Sequence, residues 1–302
     1  MSTQPVNVTT LEAVEATPTV NPGRRASDYG SRRRDYLGPL GLAVALGGIA
    51  LGQVLEGGRI TDVLQPTAAL IVFGGTMGAV ILTTPRSLLK SAWRRLKDLL
   101  FEEEVAVASI IDVVVGLAAK ARKSGIVALE QEIAQIPDAF LHRGLMLAVD
   151  GTSLENLKQM MEIEIQLEMS DAEMDAKVLE AAGGYAPTIG ILGAVVGLIQ
   201  VMKHLDNLSQ VGSGIAVAFV ATIYGVGSAN LLFLPLGQKM RLRAWKAMRA
   251  KHLMLEGIVG IAQGLNPRLV RRRLDAFVRR GNSLRQPPRP RLGPPPAETT
   301  QA

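Results

Sequence analysis

Cysteine is absent from the 302 residues, so disulfides, thiolate metal sites and thiol nucleophiles are excluded. Aromatic residues make up only 4% of the chain, whereas glycine occurs 31 times. Few rings and many glycines suit helices that pack closely in lipid better than the core of a water-soluble domain. Charge is missing where it matters most. Residues 37–55, 64–84, 181–202 and 212–236 hold no Lys, Arg, Asp or Glu. About 20 apolar residues cross a bilayer core, and a charge at its centre costs about 2.5–3.5 kcal/mol. A helix of a soluble bundle would keep a charged face. The pattern therefore predicts an all-α polytopic membrane protein with four transmembrane helices. None of them carries a carboxylate that could ferry a proton.

Connection lengths pair the spans into two hairpins, because 56–63 and 203–211 are too short to hold a domain. The organisation expected is a tail at 1–36, hairpin 1 at 37–84, a helical cytoplasmic domain at 85–180, hairpin 2 at 181–236, C-terminal helices at 237–280 and a tail at 281–302. The first tail shows no helical period. The last holds six prolines and reads as extended and disordered. About 36 polar residues precede the first apolar run, unlike a cleavable signal peptide. Arg24, Arg25, Arg32, Arg33 and Arg34 precede span 1. Arg86, Lys90, Arg94, Arg95 and Lys97 follow span 2, and Lys239, Arg241, Arg243, Lys246, Arg249 and Lys251 follow span 4. The short loops contribute Arg59 and Lys203 alone. Lys and Arg collect on the cytoplasmic side, which puts both termini and the long insert in the cytoplasm. The net charge of +6 thus belongs to membrane flanks, without the aromatic interleaving expected of a nucleic-acid surface.

The insert reads as helices. Ile110, Val114, Leu117 and Ala121 form one stripe of a helix over 105–123, which Gly125 breaks. A short helix follows over 129–136, up to Pro137. Thr152 or Ser153 caps a long helix, with Glu155 placed as the capping-box partner of Thr152, and that helix can run unbroken into span 3. Residues 150–180 carry nine acids and two lysines. That run is either a solvated face or a contact for a basic partner, such as the helix after span 4 of a neighbouring copy. Arg122 and Glu130 flank the Gly125 break, and by physics alone they are exposed charges at a helix–turn–helix corner.

Hairpin 2 is the most informative stretch. Counting 1.5 Å per residue from the cytoplasmic ends sets Ala194 about 20 Å and Thr222 about 21 Å up, with Pro187 at about 9 Å. Pro187 removes a backbone donor and frees a carbonyl. This is either an ordinary kink tolerated in a membrane helix or a flexible point facing a water-filled path. The Thr222 hydroxyl can satisfy itself on the Ala218 carbonyl or line that path. Small residues stripe both helices: Gly193 and Gly197 in one, and Gly214, Ala218 and Thr222 with Ala221, Gly225 and Ala229 in the other. Such stripes let helices approach closely. Two small faces on span 4 imply more than one neighbour, hence a homo-oligomer. His142, His204 and His252 are scattered, so neither a catalytic constellation nor a metal cluster is formed, and the chain reads as a non-enzyme without cofactor.

Four motifs carry a family resemblance over about residues 37–280. Tyr185-Ala186-Pro187-Thr188-Ile189-Gly190-Ile191-Leu192-Gly193 resembles the third-span signature of the MotA family of flagellar stator subunits, in the MotA/TolQ/ExbB superfamily. Ala218-Phe219-Val220-Ala221-Thr222-Ile223-Tyr224-Gly225, with Ala229-Asn230 and Pro235, resembles its fourth. Gln263-Gly264-Leu265-Asn266-Pro267-Arg268 resembles its C-terminal motif, and 119–130 its charged cytoplasmic motif. The resemblance implies a pentamer around a MotB-like single-span, peptidoglycan-binding partner whose membrane Asp binds the coupling ion. It implies that Arg122 and Glu130 meet a FliG-like rotor protein, that Pro187 and Pro235 couple conformation, and that Thr222 lines the ion path. Ala194 stands where sodium-driven relatives resemble one another in having threonine, which points to protons. The basic tail before span 1 departs from the family pattern. Rival readings are an ExbB- or TolQ-like energiser, against which the first hairpin and the arginine-rich tail argue, and a membrane scaffold without ion flux.

Overall fold

The computed structural model describes residues 30–34, 36–99, 101–105, 107–206 and 208–283. The first 29 residues and residues 284–302, where the two tails were expected, lie outside them. Among the described residues, four helices are long and apolar enough to cross a membrane. Helix α1 spans Leu37–Leu55 and α2 spans Pro66–Thr83. Pro66 opens α2 at a position whose N–H has no helical partner in any case. Thr84 before Pro85 takes an extended backbone that ends the helix. Helix α3, Arg86–Asp98, follows directly. In the second half of the chain, α7 (Leu154–Lys203) runs 50 residues, about 75 Å, straight through Pro187. There is accordingly no break at residue 180. Helix α8 (Leu208–Ser228) passes through a π-helical turn at Ala229–Phe233 into α9 (Leu234–Ala262).

One feature of the all-α fold differs from the sequence expectation. A two-stranded antiparallel ribbon joins β1 (Gly30–Arg34) to β2 (Phe101–Val105), with Arg32 opposite Glu103. The tail and the segment after α3 had both been read without strands, because neither shows a period-2 apolar pattern.

Two compact units emerge. Among the described residues, one draws on 107–159 and 251–283, the other on 30–105 and 160–250. In the first, α4 (Val107–Ser124) presents buried Ile110, Val114 and Leu117. Helix α6 (Ala139–Val149) adds Phe140, Leu141 and Leu145, and the end of α9 adds Leu253, Ile258 and Ile261. Helix α10 (Pro267–Ser283) closes this core with Val270 and Leu274. Each such side chain contributes about 1.5–3 kcal/mol when buried. The helix expected over 129–136 is shorter: a 3₁₀ turn at Val127–Leu129 leads into α5, Glu130–Ile133. The capping box assigned to Thr152 and Glu155 is not formed. Thr152 donates its N–H back to the Leu147 carbonyl and so closes α6, while the Ser153 hydroxyl accepts from the Asn156 N–H at 3.3 Å and caps α7.

The C-terminal motif is a helix stop and start. Gly264 sits at φ +66, and the Leu265 and Gly264 N–H groups donate to the Gly260 and Ile261 carbonyls. Asn266 then caps α10 by accepting from the Arg268 N–H at 3.0 Å, with Pro267 at the first helical position.

In the second unit, Ala68 and Val72 of α2 pack on Val220 and Ala221 of α8. Val80 and Ala92 pack on Val178 and Ala182 of α7. Leu99 packs on Ala176 and Met240. Helix α1 buries no residue within the chain, so its apolar surface is left for lipid or for other subunits.

Candidate functional site

The third and fourth spans approach backbone to backbone. A Cβ built on Gly190 would fall 2.9 Å from the Ala221 carbonyl oxygen and 3.0 Å from the Gly225 Cα. On Gly225 it would fall 2.6 Å from the Ala186 carbonyl oxygen. The same seam continues upward. A Cβ on Gly193 would meet the Ala221 Cβ at 2.9 Å, and one on Gly197 would meet the Ala218 N at 2.8 Å and the Gly214 O at 3.0 Å. The face of the fourth span that meets α7 is therefore Gly214, Ala218, Ala221 and Gly225, which takes residues from both of the stripes read in the sequence. Gly193 abuts Ala221, and because the two spans run in opposite directions the next residues, Ala194 and Thr222, step about 3 Å apart along the seam; both are half-buried. Thr222 donates its hydroxyl to the Ala218 carbonyl at 3.2 Å and is satisfied locally.

Pro187 is half-buried and leaves the Gly183 carbonyl without its usual helical donor. A Cβ on Gly183 would lie 2.7 Å from the Leu234 side chain, one residue before Pro235. The proline-loosened turns of the two spans thus lie side by side. Just ahead of Pro235 in the fourth span, the π-turn absorbs one extra residue, and the Leu234 N–H donates to the Ala229 carbonyl, five residues back. Pro235 itself is exposed. The sequence reading missed this π-turn. Pro235, which cannot donate to a carbonyl four residues back, is the one local hint of it.

Two polar clusters were also unforeseen. The Tyr224 hydroxyl donates to the Val63 carbonyl at 2.6 Å and accepts from the Gln65 N–H at 3.3 Å, pinning α8 to the start of α2. A tyrosine in an apolar span needs such a partner, and that is the signal it gave. In the acidic run, Asp175 is 1% exposed. It pairs with Arg95 and accepts from the Ser91 hydroxyl at 2.8 Å, while its Oδ1 has no partner among the described residues. Glu180 pairs with Arg241 at 2.9 Å. These two acids fasten α3 and α9 of their own chain to α7. They are neither a solvated face nor a contact for a neighbouring copy, because the helices that would expose them fold back onto them. Burial, with repulsion from Arg243 and Lys246, holds the nearby Lys239 below the usual lysine range.

The charged corner belongs to the first unit. Gly125 adopts φ +83 and ends α4, a conformation that a side chain would strain. Lys120 of α4 pairs with Glu132 of α5 across the turn, and Leu129 and Ile133 anchor it in the core. Arg122 and Glu130 remain exposed, with no ion pair among the described residues.

Fold and site define a polytopic membrane subunit whose last two spans form a charge-free, backbone-packed hairpin. The chain belongs to the MotA family of flagellar stator subunits. The family model "MotA/TolQ/ExbB proton channel family" matches residues 132–252, and "Motility protein A N-terminal" matches 39–125. Motility protein A of Bacillus subtilis is 33% identical over 241 residues, covering 79% of this chain and 89% of its own. That of Helicobacter pylori is 34% identical over 242 residues, covering 80% and 94%. Among solved structures, C. jejuni MotAB matches with TM-score 0.76 and 32% identity over 80% of this chain and 95% of that one. The flagellar MotAB stator complex from Bacillus subtilis matches with TM-score 0.77 and 31% identity over 83% and 99%.

Proposed function

We propose that this stator subunit forms one wall of an ion path whose titrating group belongs to another chain, and that it passes the resulting motion to the rotor. The observation that carries this reading is the seam at Gly190 and Gly225. It joins two spans without a carboxylate, so a proton needs an acid from a partner. A MotB-like single-span protein that supplies a membrane Asp is the partner that fits, and a pentameric ring of this chain is the arrangement implied by the family. Both termini and the first unit lie in the cytoplasm, as the Lys and Arg distribution requires. In this account Thr222 and Ala194 flank the path, and alanine at 194 suits protons better than sodium. The loosened turns at Pro187 and Pro235 flex when the partner's acid changes charge.

Arg122 and Glu130 are the groups that meet an oppositely charged, FliG-like rotor face. Two exposed charges of opposite sign, without an ion-pair partner among the described residues, can read such a surface. The test is swimming speed after Arg122→Glu combined with Glu130→Arg. Rotation should fall sharply while the protein still assembles in the membrane. Unchanged swimming would overturn the rotor-contact assignment.

A further inference from the structure

Helix α3 has one face committed and one open. Leu88, Leu89 and Ala92 pack with Val178, Ala182 and Tyr185, and Leu96 and Leu99 pack with Ala176, Leu179 and Met240. Those partners on α7 run from Ala176 to Tyr185, on either side of Ala181, where the charge-free run of the third span begins. Helix α3 thus lies alongside the end of the third span and starts at Arg86, directly after the second span ends, which holds it at the membrane edge. Its opposite face is Arg86, Lys90, Trp93, Arg94 and Lys97, all exposed and spaced at helical intervals. Trp93 is 59% exposed, and the Lys97 ammonium lies 5.5 Å from its ring centroid. Arg86, Lys90 and Arg94 make no ion pair among the described residues. The inward-facing Arg95, by contrast, is taken up by Asp175.

A row of cations around a tryptophan, held along a membrane edge, has the chemistry of an interfacial helix that reads anionic headgroups. We propose that the outer face of α3 is a binding site for the anionic phospholipid headgroups of the leaflet it borders. Trp93 seats at the acyl boundary, and Lys90, Arg94 and Lys97 gather phosphate. Charge complementarity selects this occupant. That the leaflet is the inner one rests on the orientation proposed above.

The experiment uses the complex with its single-span partner in lipid nanodiscs. The chain has two tryptophans, Trp93 and Trp245, so Trp245→Phe leaves Trp93 as this subunit's own reporter, and any tryptophan of the partner is replaced likewise. Brominated phosphatidylglycerol should quench Trp93 well beyond brominated phosphatidylcholine at the same mole fraction. Raising the salt should shrink the difference. Lys90→Gln, Arg94→Gln and Lys97→Gln should each cut the preference about fivefold. Lys90→Arg with Lys97→Arg should keep it, which separates lost charge from lost folding. Equal quenching by the two lipids, or a preference that survives all three neutralisations, overturns the proposal. So does absence of quenching by either lipid together with cross-linking between copies through Lys90→Cys, because that outcome makes α3 a subunit interface. Nanodiscs carry the same lipids in both leaflets, so a wrong orientation would leave the quenching result unchanged. Orientation would show instead in labelling of single cysteines from one side of the membrane.

Discussion

Gly225→Ala adds one methyl group at the tightest point of the seam. The new carbon would fall 2.6 Å from the Ala186 carbonyl oxygen and 2.9 Å from the Gly190 Cα. Optimal contact lies at about 3.5–4.0 Å, so the spans must separate by roughly 1 Å or distort. Both obstacles are backbone, and neither can rotate away as a side chain could. Overpacking of this kind costs about 1–3 kcal/mol. The strain falls one residue from Pro187, where the helix is already short of a hydrogen bond. Gly227→Ala is the matched control: its Cβ meets nothing within 4 Å in the chain. The assay is thermal denaturation of the detergent-solubilised complex, followed by loss of the assembled peak, together with swimming speed. Gly225→Ala should lower the transition and slow or stop swimming, while Gly227→Ala leaves the transition near wild type. Equal stability of Gly225→Ala and the parent would refute direct backbone packing as the organising contact of the hairpin.

Tyr224→Phe removes the donor to the Val63 carbonyl and the acceptor of the Gln65 N–H, so a loss of about 1–2 kcal/mol is expected in the same denaturation assay. A variant as stable as the parent would mean that the hydroxyl does not hold α8 to α2. Asp175→Asn leaves Arg95 without its counter-charge. Arg95 can turn partly to solvent, so the cost should be about 1–3 kcal/mol, less than for a fully enclosed pair. Helix α3 should then become more open to proteolysis within 86–98, and unchanged cleavage there would show that the pair does not fasten it. Reversing Arg122 and Glu130 together should leave stability within about 0.5 kcal/mol, because both are exposed. A large loss of stability would make them structural instead.

The spans were legible because lipid forbids charge, and few soluble helices go about twenty residues without one. That the acidic helix can run on into the third span was legible too, since no proline stands between them; at Pro187 the sequence left a kink or a flexible point open. The stripes Gly214, Ala218, Thr222 and Ala221, Gly225, Ala229 showed that the fourth span has small faces. That the face against α7 takes residues from both stripes needed coordinates, because both obey the same period. Asp175 and Glu180 were misread for a related reason. Local pattern gave them a solvated helix face, and only the fold-back of α3 and α9 turned them inward. The ribbon joining Gly30–Arg34 to Phe101–Val105 pairs segments far apart in sequence, and neither carries the alternation that marks a strand. The π-turn is likewise invisible to a 3.6-residue period until Pro235 forces the question.

The central claim is that this hairpin conducts only with an acid lent by a partner. Proton flux into vesicles settles it, measured with a pH-sensitive dye under an imposed potential, for the chain alone, with its single-span partner, and with the partner's membrane Asp changed to Asn. The account predicts flux in the second preparation and none in the first or third. Flux through the chain alone, or flux that survives the Asp→Asn change, would contradict it.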